Sequence, residues 1–92
     1  MDKKVERILR EEDLPLTRDG VLLLLKRHEL HSMTGVPALE DELVRVVMGP
    51  IDPSNCPRSC LEDLRVVVGA FPHLAKDEEV VEWMSIAMEE LS

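Results

Sequence analysis

Apolar positions along most of this chain recur three and four apart, the spacing of helices, rather than at every second residue. Between residues 2 and 13, Val5, Ile8 and Leu9 stand among charged side chains, the narrow stripe of a short helix lying at the edge of a core rather than at its centre. The Leu14-Pro15 step is expected to end it, because the proline ring drives the preceding residue out of helical dihedrals. Thr17 then fits an N-cap, with Asp19 near the positive end of the next helix and with Leu16 and Val21 at the two positions of a hydrophobic staple. That second helix, residues 18 to 33, reads Val21-Leu22-Leu23-Leu24-Leu25 before Leu30 and Met33, apolar nearly all round its first turns. Such a helix sits at the centre of a core or meets a partner. Gly35 is its expected stop.

Pro37 is placed to open a third helix that runs to Met48 with Leu39, Leu43, Val46 and Val47 on its buried face. Gly49-Pro50 stops it, and the prolines and Asn55 of residues 51 to 57 predict a loop. Ser59-Cys60-Leu61-Glu62 matches a capping box for a fourth helix through Val68, with Leu61, Leu64 and Val68 inward. Phe71-Pro72 breaks the chain, and Asp77 caps a last helix over residues 78 to 91. There Val80, Val81, Trp83, Met84, Ala87, Met88 and Leu91 span an arc of about 160°, opposite Glu78, Glu79, Glu82, Glu89 and Glu90.

These patterns predict an all-α fold, a compact bundle of four to five short helices in a single domain, residues 1–92. The competing reading is a small α+β fold. It takes the β-branched runs Val44, Val46-Val47 and Val66-Val67-Val68 as two short strands near 44–48 and 64–68. Residues 39–49 also resemble residues 61–69 at an offset of 22 with one deletion. Two units fall short of the three or more that a helical repeat needs, so shared helix grammar is the simpler explanation.

Composition narrows what this bundle can do. Of the 92 residues 45% are hydrophobic, yet Phe71 and Trp83 are the two aromatic ones, and the formal net charge is −8. Residues 1–35 carry seven basic and seven acidic side chains, whereas residues 36–92 carry four and twelve, so the whole excess lies in the second part. After Lys76 no cation follows. A field of this sign repels phosphate backbones and favours basic partners, and so few rings leave little on which to stack bases. Direct binding of nucleic acid is not expected. No run approaches the ~18 apolar residues of a membrane span, and the start, Met1-Asp2-Lys3-Lys4-Val5-Glu6-Arg7, lacks the apolar stretch of a signal peptide. Two cysteines are too few for a disulfide framework, so a cytoplasmic protein without membrane partners is expected.

Groups with chemical potential are sparse. Cys56 and Cys60, four apart, and His28 and His31, three apart, are the ligand types of tetrahedral zinc. Their order matches no common finger, and the histidines are not the four apart that a metalloprotease helix requires. His28, falling angularly between Val21 and Leu24, reads instead as a partly buried core histidine and His31 as a solvated one. Cys60 in a helix's first turn near Arg58 would have a lowered thiol pKa and could react, against the commoner role of a small packing residue. The paired carboxylates Glu11-Glu12-Asp13, Glu40-Asp41-Glu42 and Glu78-Glu79 point in different directions on a helix and read as solvated faces. No glycine-rich phosphate loop is present. No catalytic residue, cofactor or metal is therefore expected.

The last helix carries the stronger functional signal, because its apolar arc exceeds the ~100° that rests on a core. Trp83, Met84, Ile86 and Met88, with Glu79, Glu82 and Glu90 beside them, form the expected protein interface. These are anchor and adaptable residue types on an acidic face. The alternative for Trp83 is that it merely fills a core poor in aromatics. The expected function is a non-enzymatic protein-interaction or assembly module, bound to itself or to a basic-surfaced partner. The first alternative is an acidic, antitoxin-like inhibitor that covers the basic nucleic-acid site of a partner; the second is a small Cys/His metal or thiol site.

Overall fold

The computed structural model describes residues 1–50 and 57–91, without the side chains of residues 57–60, 87, 90 and 91. The described chain forms five α-helices, α1 (Lys3–Glu11), α2 (Arg18–His31), α3 (Glu40–Met48), α4 (Pro57–Ala70) and α5 (Glu78–Leu91), with 3-10 turns at Pro37–Leu39 and Pro72–Lys76. No strand occurs among the described residues, so the fold is all-α and the α+β alternative is overturned. Residues 44–48 and 64–68 lie inside α3 and α4. The reason is periodicity: Leu61, Leu64 and Val67 are three apart and bury together, and the neighbours Val47 and Met48 are both buried. A strand would send these residues alternately to opposite faces.

Local chemistry sets most of the helix ends. Asp2 caps α1 by accepting the Lys4 N–H at 2.7 Å. The helix closes at Glu11, ahead of Pro15. Asp13 adopts a left-handed φ of 56°, the Leu14 N–H reaches the Leu9 carbonyl at 2.8 Å, and the Asp13 N–H reaches Arg10 at 3.1 Å. This is a Schellman turn with aspartate in the place usually held by glycine. The stripe of α1 is also more central than its narrowness predicts, since Val5 and Leu9 are wholly buried.

Thr17 caps α2 as expected, accepting the Gly20 N–H at 3.3 Å, although Leu16, the outer member of the expected staple, stays exposed. Gly20 is required by close approach: a Cβ there would lie 1.9 Å from the Pro15 carbonyl oxygen. The helix ends at His31 rather than at residue 33, because Ser32 takes a left-handed φ of 47° and donates its N–H to the His28 carbonyl at 2.7 Å. Gly35 is not the stop. Pro37 opens the 3-10 turn that leads into α3.

The helix α4 begins at Pro57, which places Ser59 within its first turn instead of at the N-cap, and it runs two residues past Val68. The loop expected at 51–57 otherwise lies outside the described residues. The inward face of α4 follows Leu61, Leu64 and Val67, with Ala70 and Phe71 beyond. Val68 is only half-buried. Asp77 caps α5, its Oδ1 accepting the N–H groups of Glu79 at 3.0 Å and Val80 at 3.2 Å.

Tertiary packing centres on α4, which lies against α2 on one side and α5 on the other, with α3 touching both α2 and α4 and with α1 against α2. One hydrophobic cluster joins all five helices, from Val5, Leu9, Val21, Leu24 and Leu25 through Leu43, Val47, Leu64 and Val67 to Val80. A cation fastens its margin. Arg18 at the start of α2 donates to the Val47 carbonyl through Nε at 3.1 Å and Nη2 at 2.9 Å, and also pairs with Asp63 of α4. The acceptor is one of the last carbonyls of α3, which lack partners within their own helix. No helix among the described residues is long and apolar enough to cross a membrane.

Candidate functional site

Four of the twelve acidic residues of the second part of the chain line a groove between α3 and the start of α5. Its apolar wall consists of Val44, Leu74, Val80 and Trp83, and its rim of Glu40, Asp41, Asp77 and Glu79, with Arg45 as the cation among its lining residues and a volume of about 400 Å³. The geometry follows from three local features. The sequence Glu40-Asp41-x-x-Val44-Arg45 sets Glu40 beside Val44 and Asp41 beside Arg45, two i, i+4 rows on α3. The Pro72–Lys76 turn carries Leu74 between the helices, and the Asp77 cap fixes the direction in which α5 leaves. Glu40 is further held by His73, whose Nε2 lies 2.8 Å from the Glu40 carboxylate.

The interface residues expected on α5 divide between two sides of that helix. Trp83 enters the groove, and it and Met84 are half-buried against the core. Glu79 stands on the groove rim, exposed, and Glu82 is exposed as well. Ile86 is half-buried. Met88 is 58% exposed on a different side of the helix, together with Val81 at 45%. The Glu90 side chain lies outside the described residues.

Sequence reasoning did not find Val44, Leu74, Glu40, Asp41 and Asp77 as groove residues. The spacing sets Glu40 beside Val44 and Asp41 beside Arg45 on α3, but nothing in it shows that α5 closes the other side. Similarly, the zero net charge of residues 1–35 conceals a local excess: Lys3, Lys4, Arg7 and Arg10, with Glu11, line a hollow of about 420 Å³ on the outer side of α1.

The histidines and cysteines do not gather. His28 is half-buried with its ring centroid 5.8 Å from that of Phe71, and its Nδ1 is buried without a hydrogen-bond partner. His31 is exposed. Cys56 and the Cys60 side chain lie outside the described residues, and with them the expected thiol and metal alternatives. Among the described residues no three His, Cys, Asp or Glu side chains are placed to share a metal ion. The groove is thus an apolar trough with separated carboxylates along its edges, an arrangement suited to holding a chain with aliphatic stems and cationic ends. Compared with protein-family models, curated proteins and solved structures, this chain matches none.

Proposed function

We propose that this protein is a non-enzymatic interaction module whose α3–α5 groove receives a positively charged segment of a partner protein. The observation that carries this reading is the pairing of an apolar wall, Val44, Leu74, Val80 and Trp83, with a rim of four carboxylates and one cation. Lysine or arginine stems lie along such a wall while their charged ends meet the rim, and the Trp83 ring adds an attractive face for a cation. The partner is a protein because the trough is open and its carboxylates are spread along it rather than converging on one point.

Trp83 is the chain's single tryptophan and lines the groove, so its fluorescence reports occupancy directly. An amphipathic peptide rich in lysine and leucine is expected to shift that emission saturably. The shift should weaken between 50 and about 300 mM salt, because the screening length of exposed charges falls from roughly 14 Å to about 6 Å in that range. Asp41→Asn and Glu79→Gln should each weaken binding about two- to fivefold, the range of a rim ion pair. An emission that the peptide leaves unchanged at millimolar concentration would refute the proposal.

The antitoxin-like reading keeps one specific observation in its favour, the exposed Glu78, Glu79 and Glu82 on α5. It requires that the protein relieve a nucleic-acid-binding enzyme of its substrate. Inhibition of such an enzyme separates the two readings, since charge mimicry by those side chains does not require the wall residues and Trp83→Ala would leave it intact.

A further inference from the structure

Two hollows of this molecule carry opposite charge. The α3–α5 groove is rimmed by Glu40, Asp41, Asp77 and Glu79 with Arg45 as its cation, whereas the hollow on the outer side of α1 is lined by Lys3, Lys4, Arg7 and Arg10 with Glu11 as its anion. The contrast survives the pairs already made. A protonated His73 against Glu40 takes one negative charge from the rim, and the Asp77 carboxylate keeps its charge while it caps α5. Four carboxylates against Arg45, with or without His73, leave an excess of two or three anions. On α1 all four cations are exposed and, unlike Arg18 and Arg27, none of them is held in an ion pair. Half-buried Glu6 is the other anion within the helix, and four cations against Glu6 and Glu11 leave an excess of two. Asp2 and Glu12 stand at the two ends of α1, the first capping it and the second paired with Arg27.

The shapes correspond as well as the charges. Lys3, Arg7 and Arg10 lie at i, i+4 and i+7, a ridge about 10.5 Å long whose side chains have aliphatic stems and cationic ends. Such stems lie along an apolar wall like that of Val44, Leu74, Val80 and Trp83 while their ends reach carboxylates at its edge. Within one copy the two cannot meet. Met1 and Asp2, at the start of α1, border Glu42 and Val46 of α3, and Val46 stands about 200° round that helix from Val44 in the groove. With Val5, Ile8 and Leu9 buried in the core, α1 keeps its cations turned outward on its own side of α3.

We infer that the basic segment received by the α3–α5 groove is α1 of a second copy of this chain. The inference rests on the proposed function of that groove and names its occupant. Contacts of α1 on α1, or of groove on groove, oppose like charges, so the unlike contact is the one selected. Because ridge and groove lie on different sides of each copy, every contact leaves one of each free and the association is heterologous, forming short chains rather than a closed two-fold dimer. A net charge of −8 on each copy opposes the approach, which makes the contact weak and reversible and leaves its orientation to the two opposed patches.

Charge reversal tests it through two double variants, Lys3→Glu with Arg7→Glu on α1 and Asp41→Lys with Glu79→Lys on the groove. All four positions are exposed, so both proteins should keep the circular dichroism of the unaltered chain. Sedimentation equilibrium from 10 µM to 1 mM is expected to show the average mass of the unaltered protein rising with concentration, and each variant associating about tenfold more weakly or worse, since two exposed ion pairs become repulsive. A one-to-one mixture should associate again, the unaltered α1 of one copy seating in the unaltered groove of the other. An excess of the lysine- and leucine-rich peptide should return the unaltered protein to monomer by taking the groove. If reversal unfolds either protein, Lys3→Gln with Arg7→Gln and Asp41→Asn with Glu79→Gln replace them, each weakening association about threefold or more. A strictly monomeric unaltered protein would overturn the inference, as would variants that associate like it, a mixture that stays monomeric, or oligomers that the peptide leaves whole. A peptide that shifts Trp83 emission in a protein that never self-associates would sink this inference and leave the groove's function standing, whereas a peptide without effect on Trp83 sinks both.

Discussion

Replacing Arg18 by methionine tests how much of the fold depends on one cation joining three helices. Methionine keeps most of the aliphatic stem and removes the guanidinium, so the change isolates the polar contacts. Three are lost: Nε and Nη2 to the Val47 carbonyl, and Nη2 to Asp63. The first two share one acceptor and count as little more than a single bond. Hydrogen bonds to a charged group are worth about 1.5–3 kcal/mol when buried. Here the Arg18 and Asp63 side chains are 31% and 18% exposed, so water takes over part of the loss and the Asp63 pair falls nearer the upper end of a surface ion pair, about 1 kcal/mol. The sum is about 2 kcal/mol, a fall in melting temperature of roughly 10 °C for a chain of this size.

Urea unfolding followed by circular dichroism at 222 nm measures this directly, and a cycle with Asp63→Asn apportions it. Asp63→Asn alone should cost about 1 kcal/mol, and the double variant about 1 kcal/mol less than the sum of the two single changes, the coupling expected of neighbours in one network. The slope of stability against urea should stay the same, since the unfolded surface is unchanged. A loss under 0.5 kcal/mol for Arg18→Met would show that the three helices are held by apolar packing alone, and strict additivity with Asp63→Asn that the Arg18–Asp63 pair contributes nothing.

Other changes follow from single contacts. Gly20→Ala and Gly69→Ala should act in opposite senses: a Cβ at residue 20 meets the rigid Pro15 carbonyl at 1.9 Å and should cost more than 2 kcal/mol in urea unfolding, whereas at residue 69 it meets the flexible Glu29 carboxylate at 2.7 Å. Because that side chain can swing away, the better helix propensity of alanine should leave Gly69→Ala neutral or up to about 1 kcal/mol more stable. His28→Leu removes a buried nitrogen that has no partner and retains an apolar group against Phe71, and should raise stability by about 1 kcal/mol; a loss instead would mean that Nδ1 is satisfied in solution. Asp77→Ala frees two N–H groups at the start of α5 and should cost about 1 kcal/mol, read as a lower melting temperature with no loss of helix elsewhere.

Capping and periodicity are properties of a few neighbouring residues, and they were legible in the linear chain. Thr17 and Asp77 mark helix starts because a side-chain oxygen reaches an N–H two or three residues on, whatever the rest of the molecule does. The three-and-four spacing of Leu61, Leu64 and Val67 excludes the strands that the valine runs invited, since β-branched residues fit either backbone and only their spacing tells which face they share. Helix stops were less legible. Asp13 and Ser32 turn left-handed where glycine or proline was expected, because hydrogen bonds such as Leu14 to Leu9 make up for the steric cost of a side chain there. The starting register of α4 escaped for a related reason, as a proline is as acceptable in a first turn as before one.

What neighbouring residues cannot specify is which helix stands beside which. The arc on α5 could be counted from its residues, yet its division into a groove wall at Val80 and Trp83 and an open ridge at Val81 and Met88 depends on α3 and α4 covering one side alone. The carboxylates of residues 40–41 and 77–79 lie more than 35 positions apart and become one rim through packing, just as the balanced charge of residues 1–35 hides four cations on α1 until the helix has turned them outward. Periodicity assigns each residue to a face of its own helix; long-range burial chooses which of those faces meet.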